Sequence, residues 1–188
     1  IVNHMLANNL FAPEQHGFIP GRSCSTQLLD VLNSWFSALD SGKPVDVIYL
    51  DFAKAFDTVP HKRLINKLHS YGIRGKVLSW IKNYLSDRTQ QVASNGSVSP
   101  KSPVLSGIPQ GTVLGPILFL IYVNDLPKTV SSHCRLFADD TKIWATIFCD
   151  STSTAALQHD LDALIHWSRC WLLKFNVGKC KVMHLGNQ

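Results

Sequence analysis

Apolar positions Leu28, Leu32, Trp35, Phe36 and Leu39 recur at helical spacing, which predicts a helix from Thr26 with Ser25 as its N-cap. Ser41-Gly42-Lys43-Pro44 breaks that run. Val45–Leu50 follows as a short strand, apolar enough on both faces to lie inside a sheet. Pro60, in a first-turn position after Thr58, opens a helix that ends near Gly72. The next helix carries Val77, Ile81, Tyr84 and Leu85 on its apolar side. Residues 90–93 and Val98 form a hairpin around Asn95-Gly96, and residues 115–124 a helix with Pro116 near its start. Residues 134–138 pair with 141–146 across Asp139-Asp140. Leu157, Leu161, Leu164, Ile165, Ser168 and Trp171 mark a long helix, and Lys181–Leu185 a last strand. Residues 1–10 read as the tail of a helix and residues 14–25 as an ordered loop. The strands meet through a hairpin rather than through regular crossovers. The predicted fold class is therefore α+β, an antiparallel sheet with helices packed on one face.

A chain of 188 residues forms one domain able to bury roughly 70% of its unfolded surface. Its 45% hydrophobic and 16% charged residues are ordinary for a globular protein, and it has no repeat or low-complexity tract. The longest apolar run, residues 113–123, is interrupted by Gly115 and Pro116 and is too short to span a bilayer. The start lacks a signal-peptide pattern and an initiator Met, so the expectation is an intracellular chain cut from something longer. Cys24, Cys134, Cys149, Cys170 and Cys180 are odd in number and widely spaced, which argues for reduced, mostly buried thiols. His159 and His166 share a helix but lack a third ligand. The net charge of +5 is concentrated: Lys62, Arg63, Lys67, Arg74, Lys76, Lys82 and Arg88 face only Asp87 between Pro60 and Gln90. Such a face suits a polyanion, nucleic acid first, or is simply a pair of solvated helices.

Charge becomes chemistry at Asp139-Asp140, which interrupts a strand–turn–strand pattern, and at Asp51, which ends the strand Val45–Leu50. Each acid alone fits an ordinary turn. Three carboxylates at the tips of buried strands repel one another unless a cation lies between them. That arrangement holds two divalent metals about 3.5–4 Å apart for in-line phosphoryl chemistry. Between them, residues 95–116 hold four prolines and four glycines, yet Val104, Leu105, Ile108, Val113 and Leu114 make the stretch too apolar for a linker. Ser106-Gly107-Ile108-Pro109-Gln110-Gly111 instead leads into a helix N-terminus, where backbone can approach an anionic ligand and Gln110 can bond a base or sugar edge. Set between the two acid sites, this segment reads as a nucleotide-binding loop.

Leu50-Asp51-Phe52-Ala53-Lys54-Ala55-Phe56-Asp57, Ser106-Gly107-Ile108-Pro109-Gln110-Gly111 and Phe137-Ala138-Asp139-Asp140, in that order, resemble the palm of reverse transcriptases. More narrowly they are similar to the enzymes of non-LTR (LINE-type) retrotransposons, the jockey-like group in particular. Gln15-His16-Gly17-Phe18-Ile19-Pro20-Gly21-Arg22-Ser23, the run from Gly111 to Phe119, and the run from Leu173 to Lys181 agree with the same family. The resemblance implies one reverse transcriptase domain over residues 1–188, comprising partial fingers plus palm, with an N-terminal fingers portion and a thumb outside it.

It further implies that Asp51 and Asp139 bridge two Mg²⁺ ions, with Mn²⁺ an alternative and Asp140 a further ligand. Lys179 would protonate the leaving pyrophosphate, with Lys181 a close competitor. Phe56, with Phe52 nearby, would lie beneath the incoming sugar, and its ring would exclude a 2′-hydroxyl. Gln110 and Gly111 would shape the pocket of the nascent base pair, and Arg22 would reach the nucleotide or template from the fingers. The implied partners are an RNA template, a DNA primer and dNTPs, with no membrane. Phe137 stands where many relatives carry Tyr. Three other readings compete: an RNA-templated RNA polymerase, a metal-dependent nuclease, and a catalytically inactive nucleic-acid-binding remnant.

Overall fold

The computed structural model describes residues 1–148 and 152–186, so Cys149 lies outside the described residues. Its helices are α1 (Val2–Ala7), α2 (Cys24–Asp40), the single turn α3 (Ala55–Thr58), α4 (His61–Ser70), α5 (Gly75–Leu85), α6 (Leu114–Val123) and α7 (Thr152–Trp171). The strands are β1 (Val45–Leu50), the two-residue β2 (Thr89–Gln90), β3 (Ala93–Ser94), β4 (Ser97–Val98) and β5 (Ser102–Pro103), then β6 (His133–Phe137), β7 (Asp140–Thr146) and β8 (Lys181–Leu185). A 3₁₀ turn, Leu126–Thr129, follows α6. The main sheet has the order β6-β7-β1-β8, with every neighbour antiparallel. β1 is thus an interior strand, in keeping with its apolar sequence.

Alternation along β1 divides the core in two. Ile48 and Leu50 join the larger cluster with Leu64, Leu68, Leu118, Ile121, Leu164 and Trp167, from α4, α6 and α7. Val45 and Val47 face the other way, where Val31 and Trp35 of α2 close over them and Trp144. Helices therefore cover both faces of the sheet, not one. The expectation of a single covered face fails because α2 buries Gln27, Val31 and Trp35, one step round from the predicted stripe, leaving Leu28 and Phe36 exposed. The cap is also earlier than expected. Ser23 accepts from the Thr26 amide while Thr26 Oγ1 accepts from the Ser23 amide, a closed capping box.

The hairpin around Asn95-Gly96 forms as β3–β4, with Asn95 at φ 49° and Gly96 at φ 79°, the left-handed pair that a two-residue hairpin loop requires. α6 is buried along most of its length and passes through the middle of the larger cluster. Two expectations need correction. Lys67, counted with the basic face, is buried and points inward to Asp125. Of the described cysteines only Cys134 is buried; Cys24 and Cys170 are exposed, and all four are free. Among the described residues no helix is long and apolar enough to cross a membrane.

Candidate active site

β1 delivers Asp51 at its C-terminal end, and the pairing Leu50↔Thr141 sets that end beside the start of β7. Phe137 and Asp140 are partners, so Ala138 and Asp139 form the whole loop of the β6–β7 hairpin, with Ala138 left-handed at φ 56°. A residue with a Cβ is strained there. The strain is held by residues 14–17, which bind the outer edge of β6. The Leu136 amide donates to Glu14 O at 2.9 Å, and the His16 amide to Leu136 O at 2.8 Å. Gln15, buried, accepts from the Ala138 amide at 2.9 Å through Oε1 and donates to Ala138 O at 3.3 Å through Nε2. A Cβ on Gly17 would come within 2.4 Å of the Ala138 nitrogen, so only glycine lets this segment approach the turn. The role of Gln15 was not legible beforehand; only its place in a recognisable motif was.

Burial, then the charges of Asp140 and Asp51, push the Asp139 carboxyl above the ordinary carboxylate range, against a hydrogen bond with its own backbone and the pull of Lys179. The three acids therefore share one electrostatic neighbourhood. Lys179 Nζ stands 3.3 Å from Asp51 Oδ2. It is brought there by a strap: the Ala53 amide donates to Lys174 O at 2.8 Å and the Asn176 amide to Asp51 O at 2.7 Å. Lys181 pairs in register with Tyr49 further down the sheet. Asp51, Asp140 and Lys179 open onto a cavity of about 330 Å³ with Gln27, Thr141 and Lys142. Gln27 Nε2 and Thr141 Oγ1 are buried there without a partner.

The second part of the site is the loop before α6. The Gly107 amide donates to Val59 O at 2.8 Å and the Ile108 amide to Phe56 O at 2.7 Å, tying the loop to α3. Gly107, at φ 93°, has no room for a side chain, since a Cβ would meet Asp57 O at 2.6 Å. Gln110 Nε2 donates to Asp57 Oδ1 at 2.8 Å. A carboxylate only accepts, so the Gln110 carbonyl is the end left for a ligand. Phe56 stacks on Phe119 at 4.6 Å and lines a cavity of about 220 Å³ with Gln110 and Gly111.

Two candidates lie elsewhere. Phe52 is buried, stacked on Phe175 at 4.5 Å, and presents no surface to a nucleotide. Arg22 Nη1 donates to the carbonyls of Ala12, Pro13 and Gln15 at 3.0, 3.0 and 2.5 Å, which fixes the 12–22 loop and so supports the Gln15 clamp.

The donors at the acid cluster are hard carboxylate oxygens, which suit Mg²⁺. Among the described residues no three His, Cys, Asp or Glu side chains stand as a ready-made metal cage. Mg²⁺ does not require one, because it keeps several waters and uses one or two carboxylates plus substrate phosphates. A raised carboxyl beside two others, and the unpartnered Thr141 hydroxyl in the adjoining cavity, fit a hydrated cation.

The chain matches the family model described as reverse transcriptase (RNA-dependent DNA polymerase) over residues 1–187. It is 30% identical over 182 residues to the RNA-directed DNA polymerase from mobile element jockey of Drosophila melanogaster, covering 93% of this chain and 20% of that protein. It is 32% identical over 174 residues to the jockey polymerase of Drosophila funebris, covering 88% and 19%. The chain thus spans about a fifth of the length of these curated relatives. Among solved structures, apo telomerase from Candida tropicalis superposes with TM-score 0.70 at 10% identity over 97% of this chain and 35% of that one. Telomerase from Candida albicans, in complex with a telomeric RNA fragment, gives 0.69 at 13% identity over 100% and 34%. At such identity the likeness is one of fold. The strand-end acids, the loop bound to α3 and the match along nearly the whole sequence place this chain in the reverse transcriptase family, among relatives from non-LTR retrotransposons.

Proposed function

We propose that this chain carries the nucleotidyl-transfer centre of an RNA-directed DNA polymerase, joining a dNTP to a primer 3′-hydroxyl on an RNA template. The observation that supports it most is the convergence of Asp51, Asp139 and Asp140 on one site in which Asp139 is raised by burial and by its two neighbours. Asp51, Asp139 and Asp140 would hold two Mg²⁺ ions. When bound, such ions lower the pKa of the attacking hydroxyl and neutralise charge on the triphosphate.

The rest is the work of the chain itself. Phe56, braced by Phe119, fills the space a ribose 2′-hydroxyl would need. Gln110, oriented by Asp57, offers its carbonyl to a donor on the incoming nucleotide. Lys179 holds a proton at Nζ beside Asp51, within the site where pyrophosphate would leave. The Gln15 clamp keeps the Asp139 turn from relaxing.

Primer extension with dNTPs on an RNA template tests this reading. The chain, alone and within the longest polypeptide that carries it, is compared with Asp139→Asn/Asp140→Asn. Extension that disappears in the double variant supports the polymerase. Primer–template binding without extension in every form sinks it in favour of an inactive nucleic-acid-binding remnant.

A further inference from the structure

α5 has a face that the core does not use. Ile81 and Leu85 supply its buried side. A quarter-turn away, Val77 is 49% and Trp80 58% exposed. Trp80 stacks on Tyr84 with centroids 5.7 Å apart and planes 15° apart. The Arg88 guanidinium lies 5.3 Å over the Tyr84 ring, and its Nη1 reaches Tyr84 O at 3.4 Å. Three planar groups thus form a ladder, Arg88–Tyr84–Trp80, whose last rung is open to solvent. Arg74, Lys76 and Lys82 are exposed on the same helix or its cap, and Asp87 is the only acid between residues 74 and 90.

The ladder is continuous with the candidate active site. Arg88 lines a groove of about 670 Å³ that runs past Lys54 and Gln90 to Asp57 and Gln110. A chain leaving the Gln110 pocket along this groove meets a cation, then stacked rings, then more cations. That sequence matches the chemistry of an unpaired nucleic-acid strand, in which phosphates need cations and each base offers a flat face. A protein partner would have to desolvate Lys76 and Arg88 with little acid nearby to pair them.

We infer that the Trp80–Tyr84–Arg88 face of α5 binds single-stranded RNA, the unpaired template beyond the nascent base pair, by stacking a base on Trp80. The inference rests on the proposed polymerase reading for the identity of the strand, though binding itself is measured without catalysis. Val77 and the stem of Lys76 flank the base, and Arg88 guides the backbone into the groove.

The test is anisotropy of a labelled single-stranded RNA of about twelve nucleotides, with an RNA hairpin as the duplex control. Trp80→Ala should weaken single-strand binding about tenfold while leaving the hairpin and the salt slope unchanged. Trp80→Phe should keep most of the affinity, because a smaller ring still stacks. Lys76→Ala should lower the salt slope by about one, as loss of a phosphate contact does. Trp80 is exposed, so an unchanged thermal midpoint will accompany these effects. Single-strand affinity within twofold of the parent in Trp80→Ala overturns the inference. So does an equal loss for the hairpin, or a self-association that Trp80→Ala abolishes while RNA binding stays unchanged. Trp80-dependent binding in a chain that extends no primer upholds this surface while removing the polymerase reading; Trp80-independent binding in a chain that extends removes this surface alone.

Discussion

Gln15 grips Ala138 from both sides, so the residue that positions Asp139 is not itself an acid and does not adjoin it in sequence. Gln15→Glu keeps the shape but cannot donate to Ala138 O, and it adds a third charge beside a carboxyl already raised. Losing a buried bond of this kind corresponds to about 1–3 kcal/mol. If the clamp sets the Asp139 geometry, steady-state extension should show kcat falling about 10–100-fold with KM for dNTP little changed. A drop in thermal midpoint with unaltered kcat would assign Gln15 to stability alone. Phe56 gives the complementary prediction. Phe56→Ala opens the 220 Å³ cavity that it shares with Gln110, so the preference for dNTP over rNTP should fall. A steric selection of this sort is worth about 10–200-fold, read as the ratio of kcat/KM values for the two nucleotides. Unchanged selectivity would mean that Phe56 only braces Phe119.

Elements were legible where local pattern and tertiary demand agree. β1, β8 and the Asn95-Gly96 hairpin stand where apolar run and turn chemistry put them. α2 was misread because its buried stripe runs through Gln27, a polar residue that no hydrophobic pattern selects, while Leu28, Leu29 and Phe36 stay exposed. α5 was read correctly at Ile81 and Leu85 but not at Val77, which faces out because exposure is not written in residue type. In the site, the three acids and Gln110 were visible as motif, but the inward turn of Phe52 depends on Phe175 far along the chain, and that of Arg22 on how the irregular 12–22 loop folds back on itself. Asp160 of α7 is a further case, since nothing local marks it as buried. Its Oδ1 accepts from the Ser131 amide at 2.9 Å and Oδ2 from the Ser132 amide at 2.8 Å, pinning the approach to β6. Burial opposes its ionisation, but the bonds from Ser132 and Ser131 outweigh it and hold the carboxyl below its ordinary value of 3.8. With a folded value below the unfolded one, this stabilisation is full above pH 3.8 and is lost as pH falls through the lower folded value. Asp160→Asn should therefore cost about 1–3 kcal/mol in urea unfolding at pH 7. The gap between parent and variant should close as the carboxyl protonates; a gap independent of pH would show that shape, not charge, makes the link.

At the scale of the whole molecule, one buried cation joins three helices of the larger core. Lys67 of α4 donates to the Tyr122 carbonyl of α6 and meets Asp125 Oδ1 at 2.5 Å. Its Nζ also lies 3.7 Å from the Trp171 ring centroid and 5.1 Å from that of Trp167, both on α7. Trp167 Nε1 donates to the same Asp125 oxygen at 3.1 Å, so the acid holds the cation and the indole together. Burial lowers the ammonium from 10.5 to about 8, although Asp125 resists by charge and hydrogen bond. Between these values the unfolded chain keeps a proton that the folded chain has released, so the Lys67 contribution rises with pH from about 8 to 10.5. Cys134, pushed by burial from 9.0 up to about 12, acts oppositely: its contribution falls once pH exceeds 9.0. Total stability therefore cannot isolate the lysine, but a difference between variants can. Asp125→Asn leaves the charged lysine uncompensated and should cost about 3–5 kcal/mol at pH 7. Lys67→Met/Asp125→Asn removes both charges and should recover most of that loss, since a buried pair replaced by apolar bulk is often neutral. Raising pH to 9 deprotonates Lys67, so the Asp125→Asn penalty should shrink, while the double variant, which lacks the lysine, should fall behind the parent by the Lys67 contribution gained above about pH 8. Urea midpoints at the two pH values decide it. A penalty that is the same at both would mean that Asp125 acts through Trp167, and that the cation is a passenger in the core.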